Sequence, residues 1–159
     1  NPLMRKGRTA RQGERFTVDG VTIDVLFAPP MPPGQAGSGN EASNVYRISY
    51  GKASFLITGD LTREREQELL SADINPRSTV LKAGHHGSDT SSSPEFLQAV
   101  RPAYGIFCVG ADNSFGHPKP KIVERYRNLG IKTFRTDEDG AIVFHTDGDR
   151  ISLETYTGQ

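Results

Sequence analysis

The chain has 159 residues, 35% of them hydrophobic, with 19 basic side chains balanced by 19 acidic ones. That is one domain's worth of sequence with enough apolar material for a core, and its zero formal charge advertises neither a nucleic acid nor an acidic partner. A single cysteine excludes an internal disulfide, and no apolar run approaches the roughly 18 residues of a membrane-spanning helix.

The sequence opens at Asn1, with no initiator Met and no signal-like segment, as expected of a piece of something longer. Residues 1–13 carry Arg5, Lys6, Arg8 and Arg11 with little apolar periodicity, which suits a solvated lead-in or a nucleic-acid-binding arm. Phe16 to Leu26 reads as a hairpin about Asp19-Gly20, the dipeptide that type I′ turns favour. Residues 29–43 are rich in Pro, Gly, Ser and Asn and predict a long mobile loop. A second hairpin, Asn44–Tyr50 and Ala53–Thr58 about Gly51-Lys52, runs into Gly59-Asp60. Thr62 opens a helix with Leu61, Leu69 and Leu70 on its apolar side, stopped by Asn75-Pro76. Ser78–Ala83 is a buried-type strand, Ser93-Pro94-Glu95 starts another helix, and Tyr104–Val109 is a continuous apolar strand. Within it Cys108 reads as a small core residue. A third helix spans Ile122–Leu129 and ends at Gly130. Short strands at Ile131–Arg135, Ala141–His145 and Arg150–Tyr156 follow as terminal hairpins, with turns at Asp139-Gly140 and Asp147-Gly148. Hairpins followed by strand–helix alternation predict one α/β domain over residues 1–159 with a mixed sheet.

Two strand ends carry the chemistry. Asp60 follows Gly59, and His85-His86-Gly87-Ser88 follows the next strand. In a parallel α/β sheet, side chains converge on a crevice at the carboxyl ends of the strands. Asp60 is either a turn residue or a carboxylate able to bridge two metal ions. Adjacent histidines on irregular backbone point differently, so His85 and His86 are either two polar loop residues or a pair of which one faces a metal while the other meets substrate or the metal's outer partners. Ser88 and the hydroxyls after it can bind an anion or cap the next helix. His117 can bind phosphate or stabilise a leaving group. Lys82 and Lys119, with Lys121, lend the mouth a locally basic character. His145, inside a strand pattern, reads as structural. A hydrolytic two-metal site needs about three or four ligands per ion, and Asp60 with one or two histidines falls short of that.

The series Thr58-Gly59-Asp60, Val80-Leu-Lys-Ala-Gly-His85-His86-Gly-Ser, Ser92-Ser93-Pro-Glu-Phe-Leu, Val109-Gly-Ala-Asp-Asn113, Phe115-Gly116-His117-Pro118 and Arg135-Thr-Asp-Glu-Asp-Gly140 occurs in order. It resembles the C-terminal metallo-β-lactamase-like domain of the ComEC family, the competence channel proteins of transformable bacteria, from about Arg11 to Tyr156. The resemblance implies an αββα sandwich holding two divalent ions, Zn or Mn, and no small organic cofactor. It implies phosphodiester hydrolysis on DNA at the extracytoplasmic face of the cell membrane, beside the channel portion of the same parent protein. Asp60 would be the bridging carboxylate and His86 or His85 the late histidine ligand. His117 and Lys82 would serve the reaction, with Ser88, Asn113 and Lys119 on the substrate. The family's early His-x-[His/Asp]-x-Asp-His motif is absent from the sequence. The expectation is therefore the C-terminal portion of such a domain, binding metal weakly or not at all and inactive by itself. The alternatives are another phosphodiesterase of the same fold, acting for example on phosphorylcholine esters, or a non-catalytic DNA-binding or membrane-partner module using Lys82, Lys119 and Lys121.

Overall fold

In the computed structural model, which describes residues 10–29 and 42–157, Asp19 and Gly20 both take positive φ, 49° and 81°. They join β1 (Arg15–Val18) to β2 (Val21–Phe27) as the tight hairpin that Asp-Gly predicts. Residues 1–9 of the basic lead-in and 30–41 of the long loop lie outside the described residues. β2 pairs with β3 (Val45–Tyr50), which returns through Gly51-Lys52 into β4 (Ala53–Ile57). Gly51 has no room for a side chain: a Cβ there would sit 2.1 Å from the Gly148 carbonyl oxygen.

From β4 onward strands and helices alternate: α1 (Arg63–Ser71), β5 (Val80–Lys82), α2 (Pro94–Val100), β6 (Tyr104–Phe107), α3 (Pro120–Asn128) and β7 (Lys132–Arg135). The seven strands form one sheet in sequence order, antiparallel from β1 to β4 and parallel from β4 to β7. A single turn, α4 (Thr136–Asp139), leads to a separate hairpin of β8 (Ala141–Thr146) and β9 (Ile151–Tyr156). The predicted α/β mixed sheet is thus found.

Side-chain alternation gives the sheet two faces. Leu56, Leu81 and Phe107 point to the helices and join Leu61, Leu69, Phe96, Val100, Ile122 and Tyr126 in the core. On the opposite face Phe55 and Tyr104 receive Phe144 of the hairpin edge-on, at ring distances of 5.7 and 5.6 Å. The Lys52 amide donates to the Gly148 carbonyl (2.6 Å) and anchors the hairpin turn. Phe16, Val18, Tyr50 and Ile57 share this face and remain 37–63% exposed, Tyr50 lying against Gly148 of the hairpin turn.

Several boundaries differ from expectation. α1 ends at Ser71, because Asp73 takes a left-handed φ of 54° before Asn75-Pro76 is reached. β5 covers three residues, since the Ser78 amide donates to the Val100 carbonyl at the end of α2 (3.1 Å) instead of to a neighbouring strand. β6 stops at Phe107, which leaves Cys108 half-buried past the strand end instead of in the core. The Asp139-Gly140 segment is a helical turn, stapled by the Arg135 amide donating to Asp139 Oδ2 (2.7 Å), so β7 and β8 lie in different sheets and only one terminal hairpin forms. No helix among the described residues is long and apolar enough to cross a membrane.

Candidate functional site

The ends of β4, β5 and β6 are side by side, and each delivers a group to the same crevice. The Thr58 hydroxyl donates to the Lys82 carbonyl (2.8 Å), locking the first two ends together. Past it, the Asp60 amide donates to the Ser43 hydroxyl (2.9 Å), which fixes the carboxylate's origin.

After β5 the chain turns through Gly84–Gly87 with three successive left-handed residues: His85 (φ 45°), His86 (φ 56°) and Gly87 (φ 81°). For an L-residue this conformation costs about 1–2 kcal/mol, so two adjacent histidines store strain that the surroundings must hold. They do so with named bonds. The His85 amide donates to Gly59 O (3.2 Å), the Lys119 amide to Gly87 O (2.9 Å), and the buried Ser91 hydroxyl to Gly84 O (2.7 Å). A Cβ on Gly87 would lie 2.7 Å from both Phe107 and Pro118. Strain maintained in this way is characteristic of functional loops.

The turn separates the two histidines, as expected of adjacent residues on irregular backbone. His86 faces Asp60, with Nε2 3.3 Å from Oδ1. Its other nitrogen, Nδ1, lies 2.6 Å from the Cys108 carbonyl. A carbonyl only accepts, so Nδ1 is the donor and Nε2 of the neutral ring presents its lone pair to the carboxylate. Two acceptors at that distance repel unless a cation or proton sits between them. Donors about 2.1 Å from one tetrahedral ion stand about 3.4 Å apart, so the pair has the spacing of two ligands on one metal. The Cys108 carbonyl holds the His86 ring from behind, the position an outer partner takes beside a metal-binding histidine. His85 turns the other way, its ring 5.8 Å from His117 and its Nδ1 3.4 Å from the Thr90 hydroxyl. Among the described residues no three His, Cys, Asp or Glu side chains form a metal-holding group. The donors present therefore fit part of a metal shell.

Lys82 is drawn into the same end. Its ammonium donates to Gly59 O (2.6 Å) and lies 3.9 Å from Asp60 Oδ1. Burial pushes its pKa down, and the Asp60 carboxylate opposes that shift.

The loop after β6 closes the crevice. The Asn113 side chain donates to the Gly110 and His117 carbonyls and accepts from the His117 amide, each at 2.9 Å. Lys119 donates to Phe115 O (2.8 Å). The Phe115 ring stacks on His117 at 6.0 Å. Burial lowers the His117 pKa from 6.5, helped by the Lys119 charge, and its buried Nδ1 has no hydrogen-bond partner among the described residues. Thr136 ties this loop to α4: its hydroxyl accepts from the Val109 amide and donates to the Val109 carbonyl, both at 2.7 Å. His86, Cys108, Asn113, Phe115, His117 and Thr136 line a cavity of about 440 Å³. A larger groove of about 640 Å³, among Arg15, Asp24 and Arg47, shares no residue with the site.

Asp60, His86, Lys82, His85 and His117 thus converge, with Asn113 and Lys119 organising the adjoining loop. Ser88 is buried and its hydroxyl engages the amide and hydroxyl of Thr90. Lys121 pairs with Asp89 at 3.2 Å. His145 is exposed on β8, 3.8 Å from Glu154. Sequence reasoning missed Ser43 and the Cys108 carbonyl. A backbone acceptor leaves no side-chain signature, and Ser43 lies 17 residues from the aspartate it supports.

No protein-family model matches the chain. It is 34% identical over 134 residues to ComE operon protein 3 of Bacillus subtilis, a match covering 84% of this chain and 17% of that protein. Competence protein ComA of Neisseria gonorrhoeae is 44% identical over 132 residues, 82% of this chain and 19% of that protein. Recombination protein 2 of Haemophilus influenzae is 32% identical over 115 residues, 72% of this chain and 14% of that protein. The chain spans less than a fifth of the length of these relatives.

Proposed function

Because the chain belongs to the ComEC family of competence proteins, as a segment of them, we propose that it supplies one half of a metal-dependent phosphodiesterase site acting on DNA during natural transformation. The observation that carries this is the Asp60–His86 pair, 3.3 Å apart at adjacent strand ends, with the histidine tautomer set by Cys108. Competence names among the relatives support DNA uptake as the setting and DNA as the substrate. The αββα sandwich is supported by the apolar sheet face that the small hairpin leaves open at Phe16, Val18, Tyr50 and Ile57, which a second sheet would cover. On this reading the domain works at the extracytoplasmic face of the membrane, beside the channel portion of the same parent protein.

In the complete domain Asp60 and His86 would hold part of a site for two divalent ions, Zn or Mn, which would supply Lewis-acid activation of a phosphodiester and of water. Lys82 keeps Gly59 and Asp60 in place and offsets carboxylate charge. His117, whose pKa burial lowers from the ordinary 6.5, would offer a hydrogen bond to the scissile group. Lys119 adds positive charge where phosphate enters. Two donors bind a cation weakly, so the 159-residue chain is expected to bind metal poorly and to leave DNA intact. The DNA-binding module reading gains no support from Lys82, which is engaged with Gly59, or from Lys121, which is paired with Asp89.

The test is calorimetric titration of Zn and Mn, with a DNA-cleavage assay, on the parent protein's complete domain and its Asp60→Ala and His86→Ala variants. Tight binding and cleavage lost in both variants is the expected result. Wild-type behaviour in both would overturn the assignment, and robust metal-dependent cleavage by the 159-residue chain alone would overturn the half-site.

A further inference from the structure

Phe115 is the most exposed large apolar side chain among the described residues, at 74%, yet its loop is among the most constrained. The Asn113 side chain holds both ends of that loop through Gly110 and His117, the Gly116 amide donates to Asn113 O (3.3 Å), and Lys119 donates to Phe115 O. An aromatic ring fixed in place while facing solvent forgoes the stabilisation of burial. One face of the ring lies over His117, inclined by only 19°, which leaves the rest of it open. Beside it is the cavity of about 440 Å³ that His86 also lines, so the ring and the histidine that faces Asp60 open on one space. That volume lies in the range of small-ligand sites, about 300–1,000 Å³. None of its lining residues is acidic, and the Lys119 ammonium bonds the carbonyl of Phe115 on its wall.

We propose that Phe115 and this cavity form a subsite for an unpaired base of single-stranded DNA, stacked on the Phe115 ring with its phosphate toward Lys119. A flat apolar ring held rigid beside a cation is the arrangement that binds single strands: every base has a π-face, and the neighbouring charge takes the backbone. A base inside a duplex is already stacked and paired, so it reaches Phe115 only after unstacking. The subsite therefore selects single strands and is indifferent to sequence. This rests on the DNA reading above and is independent of its metal chemistry.

The experiment is fluorescence anisotropy in EDTA with the full 159-residue chain. The probes are an end-labelled octathymidylate, an abasic octamer of equal charge and a blunt duplex. The wild type is expected to prefer octathymidylate to the abasic strand. Phe115→Ala loses on the order of 10- to 100-fold in affinity for octathymidylate and none for the abasic strand or the duplex, while Phe115→Trp keeps it. Equal wild-type affinity for the two single strands, no loss in Phe115→Ala, or no binding at all would overturn the subsite. A duplex loss as large as that for octathymidylate would overturn its single-strand selectivity. A Phe115 effect standing beside a failed metal-and-cleavage test leaves a stacking site on a protein that does not cut DNA, so the two ideas fail separately.

Discussion

Glu66 is a carboxylate on the buried stripe of α1, 1% exposed, where Leu69 and Leu70 follow at the third and fourth positions. It accepts the Ser92 and Ser93 amides (2.5 and 2.8 Å) at the start of α2. Glu66→Ala strands two buried amides and is expected to cost about 3 kcal/mol in urea denaturation. Burial raises its pKa above the ordinary 4.5, against the pull of the Ser93 and Ser92 hydrogen bonds. The folded state therefore holds this proton more tightly than the unfolded one. That contribution is complete below pH 4.5 and lost as pH rises through the folded pKa. Because Glu66→Gln does not titrate, the stability of the wild type relative to this variant should fall as pH is raised from 4.5, as urea midpoints across that range will show. Gly87→Ala combines a φ of 81° with a 2.7 Å clash and should cost about 2 kcal/mol or more in thermal melts.

At the scale of the element, two side-chain interactions that join the β8–β9 hairpin to the sheet, beside the Lys52 amide bond to Gly148, are unequal. The Lys52–Asp149 pair is short but its side chains are 80% and 65% exposed. Water screens it, so Lys52→Ala should cost less than about 1 kcal/mol. Phe144 sits between Phe55 and Tyr104, and Phe144→Ala removes packing worth about 2 kcal/mol for a half-buried ring. Chemical denaturation of the two variants measures the ratio; equal losses would mean that the ion pair anchors the hairpin.

At the scale of the whole molecule, the described residues cover the two sheet faces unequally: helices cover one, while a two-stranded hairpin covers part of the other. Exposed, contiguous apolar side chains on a sheet favour association. The chain should therefore enhance the fluorescence of a hydrophobic dye and sediment with a concentration-dependent mass. Placing lysines at Val18 and Ile57 should diminish both effects. Much of this architecture was legible beforehand, because it rests on local rules. Asp19-Gly20 dictated its turn, and β-branched runs alternating with helical segments dictated the parallel half of the sheet. The destination of β7 was not legible, since membership of one sheet or another depends on partners far along the chain.

The same division holds at the site. Residue order alone located Asp60, His85, His86 and His117, because chemistry at strand ends follows from where a parallel sheet opens. Which histidine turns to the carboxylate was decided only in three dimensions. It depends on three consecutive left-handed residues and on a backbone carbonyl at Cys108 that fixes the ring from behind. Neither has a local signature: the strain is sustained by bonds from Gly59, Ser91 and Lys119, and a carbonyl is the same atom at every position in a sequence.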